Sequence, residues 1–112
     1  MERKRCVKCG LCREACPIFR VIRSETLSPR GKAVISERKG PPEVGYRCTL
    51  CKACREACPL GLDLPMEEMR LRAAQEGRSP SSVREMMENV WRYGNPFGDL
   101  KEEKVPSKLY CC

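Results

Sequence analysis

The chain has 112 residues, carries ten cysteines and no histidine, and has a formal net charge of +7. Only 5% of its residues are aromatic, and small domains with so little material for a core usually depend on disulfides or metals. The lack of histidine excludes imidazole ligands for zinc or haem and also Rieske-type iron–sulfur ligation, so any metal is expected to be held by thiolate.

The N-terminal segment Met1-Glu2-Arg3-Lys4-Arg5 leads directly into the first cysteine, without the apolar stretch of a secretory signal. No segment is apolar over the length of a membrane span. We therefore expect a cytoplasmic protein with no direct membrane span, which would reach a membrane only through partners. Thiols stay reduced in the cytoplasm, where clustered cysteines bind metal more often than they form disulfides.

The first cysteine run is repeated further along the chain. Cys6-x-x-Cys9-x-x-Cys12-x-x-x-Cys16-Pro17 matches Cys48-x-x-Cys51-x-x-Cys54-x-x-x-Cys58-Pro59 at every position, with an offset of 42 residues. Two C-x-x-C pairs would be enough for zinc, but zinc gives no reason for the remaining cysteines or the proline. The full pattern is that of bacterial two-cluster ferredoxins, in which the fourth cysteine of each run ligates the other cluster.

This pattern predicts two [4Fe–4S] clusters with crossed ligation. The cysteines expected to hold the first cluster are Cys6, Cys9, Cys12 and Cys58. Those expected to hold the second are Cys48, Cys51, Cys54 and Cys16. Because each run supplies a ligand to both sites, the two sites should form one folding unit. A structural zinc module that binds a partner or nucleic acid is the alternative interpretation.

A helix is predicted between the two runs. In Ser28-Pro29-Arg30-Gly31, Ser28 is a typical N-cap and Pro29 suits the first helical position. Gly40-Pro41-Pro42 stops the helix. We predict a helix over roughly residues 29–39, followed by a loop that leads to the second run.

Two further helices are predicted after the second run. The first follows apolar residues at helical spacing and ends at Gly77; these residues are Leu62, Met66, Met69 and Ala73. The second opens at Ser79-Pro80 and closes at Gly94 and Pro96. Its apolar stripe consists of Val83, Met86, Met87, Val90 and Trp91. We expect this stripe to pack against the cluster domain; a docking face for a partner is the alternative.

From Phe97 onward the sequence predicts an irregular tail that ends in Cys111-Cys112. Two adjacent thiols cannot easily chelate one ion with relaxed geometry, and a disulfide between them would be strained. One interpretation is a disordered tail with free thiols. The other is that Cys111 and Cys112 are additional ligands, or contacts, at a metal site shared with a partner subunit.

The basic charge belongs to the cysteine half of the chain. Residues 1–58 hold 14 Lys/Arg and 6 Asp/Glu, whereas residues 59–112 hold 8 and 9. An oxidised cubane with four thiolates carries a charge of about −2, so two clusters offset much of this excess. Aromatic residues in this half are limited to Phe19 and Tyr46. Nucleic-acid binding, the usual interpretation of a basic patch, is therefore not expected.

Four segments occur in a set order: Cys16-Pro17-Ile18-Phe19-Arg20, Ser28-Pro29-Arg30-Gly31-Lys32, Arg47-Cys48-Thr49-Leu50-Cys51-Lys52-Ala53-Cys54 and Tyr93-Gly94-Asn95-Pro96-Phe97-Gly98. This order resembles the iron–sulfur subunits of glycolate oxidase, anaerobic glycerol-3-phosphate dehydrogenase, lactate-oxidising complexes and heterodisulfide reductase. The likeness runs from about Cys6 to Gly98.

The resemblance implies an α-helical ferredoxin fold, related to the ferredoxin-like half of the succinate dehydrogenase iron–sulfur subunit. It also implies electron relay between a flavin-bearing subunit and a further acceptor. Many relatives continue into a large region with cysteine-rich CCG motifs, whereas this sequence stops at Tyr110-Cys111-Cys112. Its layout is thus nearest to the small C subunit of heterodisulfide reductase, and we expect no disulfide-reducing chemistry from this chain itself.

Together these features predict a mostly α protein. We expect a two-cluster α-helical ferredoxin core over residues 1–64, a helical extension packed on it over 65–94, and an irregular tail over 95–112. The chain should relay single electrons through two [4Fe–4S] clusters as part of a hetero-oligomer. Its expected partners are a flavoprotein dehydrogenase or heterodisulfide reductase-like subunits. The sequence has no Gly-rich nucleotide fingerprint, so catalysis is expected in a partner chain.

Overall fold

The computed structural model describes residues 4–100, which form helices and loops and contain no β-strand. The α-helices of this part are α1 (Pro17–Ile22), α2 (Pro29–Glu37), α3 (Ala53–Glu56), α4 (Met66–Gln75) and α5 (Ser81–Tyr93). Two 3₁₀ helices, Glu25–Leu27 and Pro42–Arg47, connect them. The prediction of a mostly α fold is confirmed for these residues.

Helix α2 begins where the sequence predicts. The Ser28 hydroxyl oxygen accepts a hydrogen bond from the Gly31 N–H at 3.0 Å, and Pro29 is the first helical residue. The helix ends at Glu37, two residues before the predicted end. Lys39 adopts a left-handed conformation with φ 52°, and the Gly40 N–H closes the turn on the Ile35 carbonyl at 2.8 Å. A helix cannot continue through that conformation.

Gly31 allows α2 to touch the first 3₁₀ helix through the backbone. A Cβ atom at this position would collide with the Glu25 carbonyl oxygen and would lie 2.9 Å from the Thr26 carbonyl oxygen. The Ser28 side chain reinforces the same junction, because its hydroxyl donates to the Glu25 carbonyl oxygen at 2.7 Å. The start of α2 therefore lies directly against the preceding segment, because Gly31 places no side chain between them and Ser28 bonds to the Glu25 carbonyl oxygen.

The apolar core lies between α4 and the second 3₁₀ helix. Its buried members are Val44, Met66 and Met69. The partly buried side chains packed against them are Leu27, Ile35, Cys48, Leu50 and Leu64. Because Cys48 and Leu50 belong to this set, the second cysteine run is packed directly onto the core.

Arg70 of α4 fixes the backbone that leads into the second cysteine run. Its Nε donates to the Gly45 carbonyl oxygen at 2.9 Å, and its Nη2 donates to the Cys48 carbonyl oxygen. The guanidinium also lies over the Tyr46 ring, 5.6 Å from the ring centre. On the same helix, Arg72 donates to the Gly40 carbonyl oxygen at 2.6 Å. Helix α4 thus holds both ends of the connection between α2 and the second run.

We expect Arg70→Met to lower the free energy of unfolding by about 2–3 kcal/mol, because two carbonyl groups lose a charged donor. Glu68→Gln on the exposed side of the same helix serves as the control and should change it by less than about 0.5 kcal/mol. Urea denaturation of the two variants beside the unchanged protein makes the measurement. Equal stability of the two variants would contradict the role assigned to Arg70.

The chain folds as two compact units, one ending at Arg78 and the other beginning at Ser79. In the second unit, α5 agrees with the helix predicted between Ser79-Pro80 and Gly94. Gly94 ends it in a left-handed conformation with φ 73°. The predicted packing of the α5 stripe and the boundaries predicted after residues 64 and 94 stay predictions.

None of the helices formed by residues 4–100 has the length and apolar character that crossing a membrane requires. The last part of the predicted tail, including Cys111 and Cys112, lies outside the described residues.

Candidate metal centre

The repeated sequence folds the same way twice. Lys8 and Leu50, which correspond to each other at the offset of 42 residues, both adopt left-handed conformations with φ 60° and 59°. Gly10 and Lys52, the next corresponding pair, do the same with φ 79° and 61°. Left-handed conformations are costly for residues other than glycine, and they concentrate at ligand-binding sites. Their recurrence at matched positions indicates that each loop is shaped for the same purpose.

The two loops also direct backbone N–H groups at their first cysteines. The Lys8 N–H donates to Cys6 Sγ at 3.4 Å, and the Leu50 N–H donates to Cys48 Sγ at 3.4 Å. Such N–H···S bonds stabilise thiolates and are one of the means by which proteins set the potential of iron–sulfur clusters.

Three cysteines of the first run and the last cysteine of the second run lie together. One cavity is lined by Cys6, Cys9, Cys12 and Cys58, and Cys54 also contributes to its wall. Apolar side chains of the wall include Val7, Leu60, Leu62 and Leu64. Both runs therefore contribute thiols to this cavity.

The electrostatic surroundings of Cys12 and Cys58 agree with this grouping. Burial raises the pKa of the Cys12 thiol, and the neighbouring Cys6, Cys58 and Cys9 raise it further. The opposite holds at Cys58, where hydrogen bonds from the backbone N–H groups of Leu62 and Leu60 lower the thiol pKa. Cys58 thus resembles Cys6 in that backbone N–H groups stabilise its thiolate.

Cys54 is influenced electrostatically by thiols of both runs. Burial raises the pKa of the Cys54 thiol, and Cys48, Cys12 and Cys16 raise it further. Cys48 and Cys16 belong to the second predicted ligand set. Cys12 belongs to the first set. The two predicted ligand sets are therefore near each other at Cys12 and Cys54.

Cys51 lies at the exposed side of the second run. A hydrogen bond from the Thr49 side chain lowers its thiol pKa most, followed by one from the Ala53 backbone, and the charge of Lys32 adds to the effect. Cys9, the corresponding residue of the first run, is exposed as well, whereas Cys16 is only 7% exposed. All eight cysteines of residues 4–100 are free thiols.

The donors fit [4Fe–4S] clusters by their chemistry and distribution. Within residues 4–100, no three Cys, Asp or Glu side chains gather tightly enough to hold one metal ion. A cubane takes each thiolate on a different iron atom and so spreads its ligands more widely than a single zinc ion does. Two groups of thiols, with matched loops and N–H···S bonds, suit that requirement.

Comparison with protein families matches residues 2–62 to the family described as a 4Fe-4S dicluster domain. The chain belongs to the 4Fe-4S dicluster domain family. Comparisons with curated proteins and with solved structures found no match. The matched residues include both cysteine runs, and the prediction of a [4Fe–4S] protein with a ferredoxin-type, electron-transfer domain is confirmed at this level. The likeness to particular dehydrogenase or heterodisulfide reductase subunits stays a prediction.

One part of the dicluster domain's site was not predicted from the sequence. The Glu25 carboxylate accepts from Arg30 Nε at 2.7 Å and pairs with Arg13 Nε at 3.3 Å. Its Oε1 also lies 2.9 Å from the Ser28 hydroxyl, whose one proton is shared between this oxygen and the Glu25 carbonyl oxygen. Arg30 lowers the pKa of the Glu25 carboxyl. From this anchor, Arg30 Nη1 donates to the Lys8 carbonyl oxygen at 3.1 Å and so ties α2 to the first cysteine loop. The sequence feature that could have indicated this contact is the Ser-Pro-Arg-Gly motif, because it contains Arg30.

Proposed function

We propose that this dicluster domain is an electron-transfer subunit that holds two [4Fe–4S] clusters by crossed ligation. The first cluster is held by Cys6, Cys9, Cys12 and Cys58. The second is held by Cys48, Cys51, Cys54 and Cys16. The observation that carries the proposal is the cavity in which Cys58 joins the three cysteines of the other run.

Each cluster supplies one-electron redox chemistry when bound, and the residues of the chain decide how it is used. Cys12 and Cys54 line the same cavity, and Cys12 raises the pKa of the Cys54 thiol, which supports close placement of the two proposed clusters. Cys9 and Cys51 are exposed and give each group a contact with the surface. This arrangement supports a relay in which an electron is received at one group and leaves from the other.

The proposed partners are a flavoprotein dehydrogenase or heterodisulfide reductase-like subunits, with catalysis in the partner. Support comes from the four ordered segments and from the lack of a nucleotide fingerprint in this sequence. We place the hetero-oligomer in the cytoplasm, because reduced thiols are needed for cluster binding. As a variant of this proposal, Cys111 and Cys112, which lie outside the described residues, complete a metal or redox site of a partner subunit.

Anaerobic purification followed by metal analysis tests the proposal. We expect a brown protein with about eight iron atoms and eight acid-labile sulfides per chain, whose broad visible absorption bleaches with dithionite. Co-expression with a flavoprotein encoded beside it should yield a complex in which the reduced flavin bleaches the same absorption. A colourless protein with zinc and no labile sulfide would overturn the cluster proposal, whereas clusters that no flavoprotein reduces would overturn only the choice of partner.

A further inference from the structure

A wide groove lies beside the first thiol group. It is formed by the segment before Cys6, the second half of α2 and the stretch from Leu62 into α4. Its volume is about 1140 Å³, which exceeds the range of about 300–1,000 Å³ that is usual for small-molecule pockets. A groove of this size suits a segment of another protein better than a single small ligand.

The groove and the cavity of the first thiol group share a wall. Ala33, Leu62 and Leu64 line both of them. Glu37, which lines the groove, accepts a hydrogen bond from the Cys6 N–H at 3.2 Å. A molecule bound in the groove would therefore lie across this wall from the first cluster.

Basic side chains outnumber acidic ones in the groove. The basic residues of its lining are Lys4, Arg5, Arg38, Lys39 and Arg72. The acidic residues of its lining are Glu37, Asp63 and Glu68. Asp63 pairs with Lys52 and Arg55, which do not belong to the lining, so its charge is compensated from outside the groove. The groove therefore presents an excess of positive charge.

Four of the basic side chains are accessible to a carboxylate from outside. These four exposed cations are Lys4, Arg5, Arg38 and Lys39. None of the salt bridges within residues 4–100 includes any of them. Lys4 donates to the Leu60 carbonyl oxygen at 3.1 Å, but a carbonyl group has no net charge to compensate the ammonium. Arg72, by contrast, is half-buried and pairs with Glu76.

The negative charge of a bound cluster does not remove this preference for an anion. An oxidised [4Fe–4S] cluster with four thiolates carries a charge of about −2, but here it would lie behind the shared wall. The four exposed cations line the groove itself, where a carboxylate can contact them. Direct contact prevails because solvent and salt screen charges that are further apart. The groove is thus complementary to an acidic segment with some apolar side chains for the wall.

We propose that this groove binds an acidic, partly apolar segment of the redox partner and so places that partner beside the first cluster. The proposal rests on the electron-transfer function proposed above. Carboxylates of the segment pair with the four exposed cations, while its apolar side chains contact Leu62 and Leu64. Opposite charges accelerate the encounter of two proteins and orient them. The partner thereby comes within one wall of Cys6, Cys9, Cys12 and Cys58.

Coupling with a carbodiimide tests where an acidic segment binds. The probe is a short acetylated peptide of glutamate and leucine, mixed with the two-cluster protein at low salt. A carbodiimide joins carboxylates to amines that they contact, so mass spectrometry should find the peptide mainly on Lys4 and Lys39. Lys8 and Lys52, which do not line the groove, are the internal controls. Equal coupling of the four lysines would overturn the proposal.

The same experiment identifies other occupants of the groove. Coupling of Lys4 or Lys39 to residues 79–112 of the same chain, with no peptide attached, would assign the groove to the chain itself. Coupling between two copies of the chain would assign it to self-association. Either result would overturn the assignment of the groove to a redox partner.

Two matched double variants separate the groove from net charge. Arg38→Gln with Lys39→Gln should weaken peptide binding about fivefold, a moderate loss because exposed ion pairs are individually weak. Arg20→Gln with Arg84→Gln removes the same charge from exposed positions outside the groove lining and should weaken it less than about twofold. Fluorescence anisotropy of the labelled peptide measures both. Equal losses would overturn the proposal, as would equal affinity for a peptide with glutamine in place of glutamate.

Reduction by the flavoprotein of the proposed complex connects the groove with electron transfer. Arg38→Gln with Lys39→Gln should raise the flavoprotein concentration for half-maximal bleaching rate about fivefold. Bleaching by dithionite, which needs no docking, should not change. An unchanged concentration dependence would overturn the role of the groove. If no flavoprotein bleaches the clusters, the choice of partner fails while the peptide experiments still decide the groove, and a protein without clusters would overturn the function on which the proposal rests.

Discussion

Replacement of Cys16 by alanine is expected to remove about four of about eight iron atoms, and to remove them from the cluster bound mainly by the other cysteine run. Cys16 is the fourth cysteine of the first run in sequence, but its charge acts on Cys54 of the second run. It is also buried, so an exogenous thiol or water cannot easily take its place. Alanine is chosen because a serine oxygen can itself bind iron.

Double variants distinguish crossed ligation from an arrangement in which each run holds its own cluster. Cys16→Ala combined with Cys51→Ala should bind as much iron as either single variant, because both changes damage the same cluster. Cys16→Ala combined with Cys9→Ala should lose nearly all iron. The mirror experiment pairs Cys58→Ala with Cys9→Ala and with Cys51→Ala. Iron and labile sulfide are counted in each anaerobically purified protein, and a reversed pattern would show that each run holds its own cluster.

The second large effect is expected at Gly31. In an ordinary helix, Gly→Ala increases stability by about 0.5–1 kcal/mol. Here the new Cβ would meet the carbonyl oxygens of Glu25 and Thr26, so we expect Gly31→Ala to lower the free energy of unfolding by about 1–3 kcal/mol instead. Displacement of Glu25 would also loosen the contact from Arg30 to the Lys8 carbonyl oxygen.

Urea denaturation measures the change in stability, and the rate of iron loss to a chelator measures the damage to the first cysteine loop. Gln75→Ala, at an exposed position of α4, is the control and should be neutral or slightly stabilising. A stabilised Gly31→Ala protein would show that the close approach of α2 to the 3₁₀ helix is not needed for the fold.

The sequence predicts those parts of the site whose chemistry is local. The cysteine spacing predicts the [4Fe–4S] type of the site, because the closely spaced cysteines of each run lie within a few residues of one another. The crossed ligand sets stay predictions. Ser28 and Pro29 predict the start of α2, since an N-cap acts on the turn that follows it. The helices α4 and α5 are recognisable from apolar residues that recur over three turns or more.

The short elements could not be predicted in this way. Helix α1 has six residues and the 3₁₀ helix Glu25–Leu27 has three, so neither is long enough to show a period. The contact of Arg70 with the Gly45 carbonyl oxygen spans 25 residues, and only the folded chain brings the two together. The burial of Lys32, which is only 1% exposed, was not predicted, because lysine is a surface residue by default.

Because Cys9 and Cys51 are exposed, we expect the protein to be sensitive to air during purification and storage. They are the exposed cysteines of the two runs, so a small oxidant can reach a cluster bound there. We expect dioxygen to attack both clusters at these positions, whereas the side held by buried Cys16 should be shielded. Bleaching in air would then begin with oxidation near Cys9 and Cys51, where a redox partner would also approach the clusters. A bound partner that covers Cys9 or Cys51 would protect the clusters from air as well as receive their electrons.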